Sequence, residues 1–180
     1  MMKTKKLTLA GMLIALATVL SFIKLFDMPY GGSVTAASMV PVIIFSMMSD
    51  FKWGIIQSCA YGVIQLMIGW YAPPAQTFIS FLLVILLDYI VAFGVLGLAG
   101  SIYRKTGKGV WGTVISCLSV LFLRFLCHFA SGILIWSSFA PEGQPVWLYS
   151  LLYNGGYMLG EAAVSLVVLL LVNTKLKAKL

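Results

Sequence analysis

Charge is scarce in this sequence of 180 residues, of which 9% are charged and 61% are hydrophobic. Five acidic residues and one histidine, His128, are too few for the polar surface of a water-soluble domain of this size. Apolar runs recur over nearly the whole chain, which indicates an all-α integral membrane protein. The formal net charge of +7 comes from basic residues that flank these runs, so we interpret it as membrane orientation and exclude nucleic acid as a partner.

Other absences narrow the chemistry. The three cysteines are odd in number and fall inside apolar segments, which excludes a disulfide framework. Cys127 adjoins His128, but the chain has no second histidine and metal sites need several ligands at defined spacing, so we predict no metal and no other cofactor. Neither a Walker-type glycine loop nor an HExxH motif is present, which excludes ATP hydrolysis by this chain and metalloprotease chemistry.

Turn residues divide the chain into six predicted transmembrane helices within one domain, residues 1–180. The helices cover approximately residues 7–23, 34–48, 54–69, 77–100, 110–137 and 147–172. We expect the short second helix to tilt or to cross only part of the membrane. Lys24 lies on one side of these segments and ten basic residues lie on the other, so the positive-inside rule predicts that both termini are cytoplasmic. The ten are Lys3, Lys5, Lys6, Lys52, Arg104, Lys105, Lys108, Lys175, Lys177 and Lys179.

Three ionisable residues, Asp88, Arg124 and Glu161, fall at similar depth in their helices, roughly 16 to 21 Å from the outer ends at 1.5 Å per residue. They can therefore share one polar cavity. Two carboxylates and one guanidinium leave a deficit of one positive charge, which predicts either a bound monocation or a protonated acid. The alternative is that Arg124 pairs with Glu161 for structure alone while Asp88 is protonated or hydrogen-bonded.

Arg124, His128, Gly132 and Trp136 recur every four residues and so form one stripe on the fifth helix. Gly132 either leaves room for a planar ligand between two rings or permits close helix packing, and the spacing favours neither. Aromatic faces attract cations by about 0.5 to 2 kcal/mol each. Further aromatic candidates are Tyr61, Tyr71, Tyr89, Tyr149, Tyr153 and Tyr157. An interfacial belt is the competing explanation, above all for Trp53, Trp70, Trp111 and Trp147.

The amide of Asn154 is deep enough to need partners, and its donor and acceptor edges suit a heterocycle. The sequence does not settle whether Asn154 or the adjacent Tyr153 faces the cavity.

Several motifs follow one another in order between His128 and Glu161: HFASG, APEG, WLYSL and YNGGYM, with LLDYIVAFGVLGLAG upstream at residues 86–100. Over most of the chain this set resembles the thiamine-specific S-components of energy-coupling factor (ECF) transporters. The resemblance implies a six-helix subunit of the bacterial cell membrane that performs no chemistry itself. It captures thiamine outside and docks with a transmembrane coupling subunit and two ATPases.

Motif matching carries the family's substrate-binding roles to Tyr61, Tyr71, Asp88, Tyr89, His128, Gly132, Trp136, Tyr149 and Asn154. Asp88 is the expected acidic partner of the thiazolium ring, and the outer loop KLFDMPYGGS is expected to act as a lid. Small residues four apart on the first helix, Gly11 and Ala15, match the family's docking face.

The chain departs from the family's sequence pattern at two positions. Asp88 occupies a position where a longer glutamate also occurs, and Gly160 replaces a common proline, which removes a helix kink.

Three other functions stay open from the sequence. The same scaffold suits an S-component for another vitamin or for a thiamine precursor. An intramembrane enzyme would use His128 with Asp88, or the two carboxylates, as an acid–base pair. A self-sufficient facilitator would need no ATPase.

Overall fold

Helices make up most of this computed structural model, which describes residues 3–176 and the side chains of residues 3–172. About 79% of the structure is helical, which confirms the predicted all-α membrane class. Lys175, Lys177 and Lys179, which support the predicted orientation, lie outside the described side chains. The helices are α1 (Lys3–Phe22), α2 (Val40–Met48), α3 (Phe51–Ile68), α4 (Phe78–Lys105), α5 (Gly109–Leu134) and α6 (Val146–Leu176).

Four segments of the described chain are long and apolar enough to cross a membrane: α1, α4, α5 and α6 as far as Val172. In contrast, α2 has nine residues, about 14 Å at the usual rise of 1.5 Å per residue. Seven of those nine residues are buried, so α2 packs inside the bundle rather than against lipid. Six crossings and two cytoplasmic termini therefore stay predictions.

A two-stranded antiparallel hairpin follows α1, where the sequence predicted a loop and then the start of the second helix at residue 34. Strand β1 (Lys24–Asp27) pairs with β2 (Ser33–Thr35), and the turn between them includes Pro29–Gly31. The prediction for residues 34–39 was wrong because β-branched Val34 and Thr35 pair as a strand. Helix α2 begins only at Val40, with a proline in its first turn, where the ring is tolerated.

Helix α4 changes its winding along its length. A π-turn at Ile85–Ile90 interrupts the α-helix, and a 3₁₀ turn follows at Val95–Leu98. The π-turn carries both Asp88 and Tyr89. Single π-turns insert an extra residue into a helix and often occur at functional sites, so this turn marks the part of α4 that faces the cavity described below.

Helix α5 ends at Leu134, three residues before the predicted end at residue 137. The backbone amides of Ile135 and Trp136 both reach back to the Ser131 carbonyl oxygen, at 2.8 and 3.4 Å, which closes the helix. Trp136 therefore lies in the connection beyond the helix and not on the helical stripe that its spacing predicted. A short 3₁₀ turn, Ser137–Phe139, then leads toward α6.

Candidate functional site

A cavity of about 420 Å³ lies where the hairpin meets the helices. Its walls come from the end of α1, the hairpin, the loop after α3, the π-turn of α4, and α5 with α6. Pockets for small organic molecules commonly have about 300 to 1,000 Å³, so the volume suits one such ligand. All three charges that depth counting put at one level, Asp88, Arg124 and Glu161, line this one cavity.

Eight of the nine predicted binding residues line the cavity: Tyr71, Asp88, Tyr89, His128, Gly132, Trp136, Tyr149 and Asn154. The ninth, Tyr61, is fully buried in the helix packing. Its hydroxyl donates to the Ala17 carbonyl oxygen at 3.3 Å, and its ring packs edge-on against Phe93 at 5.2 Å. Because Phe93 lines the cavity, Tyr61 lies behind the wall and supports it from the other side.

The Asp88 carboxylate is the centre of a hydrogen-bond network. His128 Nδ1 lies 3.1 Å from Oδ1, Ser131 Oγ donates to Oδ2 at 2.7 Å, and Trp136 Nε1 donates to Oδ2 at 3.1 Å. An ionised carboxylate only accepts hydrogen bonds, so the proton of a neutral His128 sits on Nδ1. Nε2 is then an acceptor, and it is buried without a hydrogen-bond partner among the described residues. The site thus has a fixed carboxylate beside an imidazole whose second nitrogen has no partner in the described part of the chain.

Ser131 was missed from the sequence although it holds both Asp88 and Trp136. Its Oγ lies 3.1 Å from the indole Nε1 as well as 2.7 Å from the carboxylate. The side chain is fully buried and does not line the cavity. A single serine between two apolar residues gives no sequence signal, because its partner lies 43 positions away on α4.

Arg124 and Glu161 are the other two charged residues of the cavity. Glu161 accepts hydrogen bonds from the backbone amide of Thr35 at 2.7 Å and from the Thr35 hydroxyl at 2.6 Å. The Arg124 guanidinium lies over the Phe93 ring, with Cζ 3.7 Å from the ring centroid, and its Nε and Nη1 atoms have no hydrogen-bond partner in the described part of the chain. The ion pair between Arg124 and Glu161 that the sequence left open does not occur among those residues, and Arg124 forms none with Asp88 either.

Gly132 allows α5 and α6 to approach closely. A Cβ atom at this position would lie 2.9 Å from Asn154 Nδ2 and would also collide with the Ser150 hydroxyl. Of the two interpretations of Gly132, the structure therefore favours helix packing, although the residue also borders the cavity.

Asn154 links α6 to the backbone of α5. Its Nδ2 donates toward the His128 carbonyl oxygen at 3.2 Å, and its Oδ1 accepts from the Tyr157 hydroxyl at 3.1 Å. The sequence left open whether Asn154 or Tyr153 faces the cavity, and in the structure both residues line it.

Aromatic side chains that the sequence did not select also line the cavity. Tyr30 of the hairpin stacks on Phe139, with centroids 4.3 Å apart and ring planes 17° apart. Trp70, assigned to the interfacial belt from the sequence, lines the cavity and stacks on Tyr89 at 6.3 Å. Tyr153 and Tyr157, which the sequence did name as aromatic candidates, line the cavity as well and follow Tyr149 at intervals of four, a spacing that places them on one helical face. Tyr30 and Phe139 lie in connections, where periodicity gives no such signal.

The predicted docking residues, Gly11 and Ala15, are exposed on α1, and a Cβ atom at Gly11 would meet nothing within 4 Å. They lie apart from the cavity and are free for contact with lipid or a partner.

Fold and site together define a helical membrane protein with an aromatic-walled cavity, built around one carboxylate, for a small molecule. Residues 7–180 match a family model described as thiamine transporter protein (Thia_YuaJ). The chain therefore belongs to the thiamine transporter protein family. This confirms the resemblance seen in the sequence and makes the chain a multi-pass cell-membrane transport protein rather than an enzyme.

Two curated relatives carry the name thiamine transporter ThiT. The protein of Bacillus subtilis (strain 168) is 36% identical over 154 residues, which cover 81% of this chain and 77% of that protein. The protein of Lacticaseibacillus paracasei is 26% identical over 147 residues, covering 72% of this chain and 68% of that protein. A solved structure of ThiT from Listeria monocytogenes has a TM-score of 0.79 at 20% identity, and the alignment covers 98% of this chain and 97% of that chain, which shows the shared fold.

Proposed function

We propose that the cavity binds thiamine and that this chain is the substrate-binding subunit of an ECF-type importer. The observation that carries the proposal is the Asp88 carboxylate, which three donors hold in place within an aromatic-walled cavity. Thiamine carries a fixed positive charge on its thiazolium ring, and aromatic faces and a carboxylate both favour a delocalised cation in a site shielded from water. Membership of the thiamine transporter family supports the same ligand.

The site residues have distinct roles in this proposal. Asp88 provides the counter-charge, while Trp136 and His128 flank the rings of the ligand. The unpaired Nε2 of His128 accepts a hydrogen bond from the aminopyrimidine, and the Tyr149 hydroxyl provides a further polar contact. Asn154 acts mainly by fixing the backbone of α5, because its amide is already bonded to protein groups.

Around these groups, Tyr71 and Tyr89 complete the aromatic wall. The Tyr89 hydroxyl donates to the Gly69 carbonyl oxygen at 2.5 Å, which fixes the orientation of its ring. Gly132 contributes by keeping α5 close to α6, and Tyr61 contributes by supporting the wall from behind.

Isothermal titration of the purified chain tests the ligand. We expect saturable thiamine binding, with the separate aminopyrimidine and thiazole precursors competing much more weakly, because only the intact vitamin reaches both the carboxylate and the imidazole. A riboflavin or precursor affinity above that for thiamine would overturn the assignment in favour of another S-component.

The energy for thiamine uptake comes, in this proposal, from other subunits. The chain has no nucleotide-binding glycine loop, so thiamine uptake is expected to need a coupling subunit and two ATPases, docked at Gly11 and Ala15 of α1. Proteoliposomes test this directly. Uptake is expected only when the chain is combined with the coupling subunit and ATPases and supplied with ATP, and uptake by the chain alone would identify a facilitator instead.

Bulky substitutions at the small pair test the docking face. Gly11→Leu together with Ala15→Leu should abolish co-purification with the coupling subunit and leave thiamine affinity unchanged, since neither residue lines the cavity. Exposed Met12→Leu on the same helix is the matched control, and loss of co-purification in that control would show that the face as assigned is wrong.

A further inference from the structure

The hairpin that covers the cavity is fastened to one face of α6. Tyr153, Tyr157 and Glu161 follow at intervals of four residues, so they lie on the same side of that helix. The Tyr153 hydroxyl accepts from the Gly32 amide at 3.0 Å and donates to the Pro29 carbonyl oxygen. At the other end of the hairpin, Glu161 accepts hydrogen bonds from both the amide and the hydroxyl of Thr35, the last residue of β2. The hairpin is therefore anchored at two points about two helical turns apart.

Two glycines let the hairpin lie against α6. A Cβ atom on Gly32 would approach a ring carbon of Tyr157 to 2.7 Å, and a Cβ atom on Gly160 would approach Cγ2 of Val34 to 2.8 Å. At such distances something must shift, so a larger residue at either position would require the hairpin or the α6 side chains against it to move. This gives Gly160, which stands where the family commonly has proline, a packing role against β2.

Glu161 depends on the hairpin for its hydrogen bonds. The residue is fully buried, and within residues 3–172 the side chain's hydrogen bonds come from Thr35 alone. A buried carboxylate without donors is strongly disfavoured, so lifting the hairpin must either supply another donor or neutralise the acid. Arg124 can provide such donors, because it lines the same cavity and its Nε and Nη1 atoms are buried without a partner among these residues. A guanidinium offers a planar pair of donors that matches a carboxylate.

We propose that Glu161 is the positioning residue that holds the hairpin, residues 24–35, closed over the cavity, and that its carboxylate turns to Arg124 when the hairpin opens. The proposal rests on the proposed function, since opening matters only if a ligand enters and leaves. Glu161 exchanges its hydrogen-bond partner between the two states. In the closed state Thr35 satisfies Glu161, and in the open state Arg124 does, so neither state leaves the buried carboxylate without donors.

Hydrogen exchange of the ligand-free protein in nanodiscs tests the closed contact without any ligand. The Thr35 amide donates to Glu161 and is expected to exchange slowly in the wild type. In Glu161→Ala it should exchange at least about tenfold faster, because a hydrogen bond to a charged group is lost. Ser165→Ala, one turn further along the same helix, is the matched control and should leave exchange at Thr35 unchanged. Unchanged exchange in folded Glu161→Ala would overturn the proposal.

Thiamine kinetics test the consequence for binding. Thr35→Val removes one of the two donors and should raise the dissociation rate constant about tenfold, whereas Thr35→Ser should restore it. Thr113→Val, which removes a buried hydroxyl that donates to the Gly109 carbonyl oxygen of the same helix, should leave the rate constant unchanged. Arg124→Gln should slow both association and dissociation, because the open state loses its partner for Glu161.

The same Arg124→Gln change should have little effect in a Glu161→Ala background, since the partner exchange is already absent. Equal effects of Arg124→Gln in both backgrounds would contradict the exchange. If the wild type fails to bind thiamine, the proposed function fails, while the exchange rate of the Thr35 amide still decides whether Glu161 holds the hairpin.

Discussion

Replacing Asp88 by asparagine isolates the charge of the site. The two side chains have nearly the same shape, and an amide oxygen in the place of Oδ2 still accepts from Ser131 and Trp136. What disappears is the negative charge and the Oδ1 acceptor for His128. At about 5 Å and an effective dielectric of about 20, a carboxylate attracts a unit cation by about 3 kcal/mol. We therefore expect thiamine affinity to fall by about two orders of magnitude.

The assay is calorimetric titration of wild type and Asp88→Asn with thiamine and with an analogue whose five-membered ring is neutral. The neutral analogue should lose less affinity than thiamine in the variant, because it loses the acceptor on the imidazole, which depends on Oδ1 of Asp88, but not the charge attraction. Glu142→Gln, in the exposed connection before α6, is the control for general surface potential and should bind like the wild type. Wild-type affinity for thiamine in Asp88→Asn, or an equal loss for both ligands, would refute the electrostatic argument.

Four further results are expected. Gly132→Ala should lower both the melting temperature and thiamine affinity, because its Cβ atom collides with α6 and forces the two helices apart; an unchanged melting temperature would contradict the packing role. Tyr61→Phe should change thiamine affinity less than about threefold, since its hydroxyl points away from the cavity, and a larger loss by titration would place it in the site. Trp136→Phe should remove most of the thiamine-dependent change in tryptophan fluorescence. At the opposite end of the bundle, the hydrogen bond from Lys6 holds the pKa of Asp50 below its ordinary value of 3.8. The contribution of this bond to the stability of the fold is therefore present above pH 3.8 and is lost on further acidification. Lys6→Met should remove this acid-dependent part of the melting temperature.

The positions of ionisable residues along the apolar helices predicted much of the site from sequence alone. Asp88 and His128 were found because ionisable groups are rare in apolar segments, and a helix rises by a fixed amount per residue. Helical spacing also selected Trp136, although the helix ends before it; the residue reaches the cavity because its indole turns back to Asp88.

The hairpin could not be predicted from depth or from helical spacing. Val34 and Thr35 continue an apolar segment, and only pairing with β1 and bonding to Glu161, 126 positions away, makes them a strand against α6. The same holds for Ser131, whose role depends on a contact between two helices. Periodicity within one helix carries no information about these partners, so the strand pairing of the expected lid and the support of the Asp88 carboxylate by Ser131 emerged only from the tertiary structure.

Native mass spectrometry of the purified chain, released from detergent with whatever ligand it retains, shows directly whether thiamine is the ligand. We expect a single adduct with the mass of thiamine, which exchanges for isotopically labelled thiamine added in solution. An adduct of another mass that labelled thiamine does not displace would contradict thiamine as the ligand of the cavity.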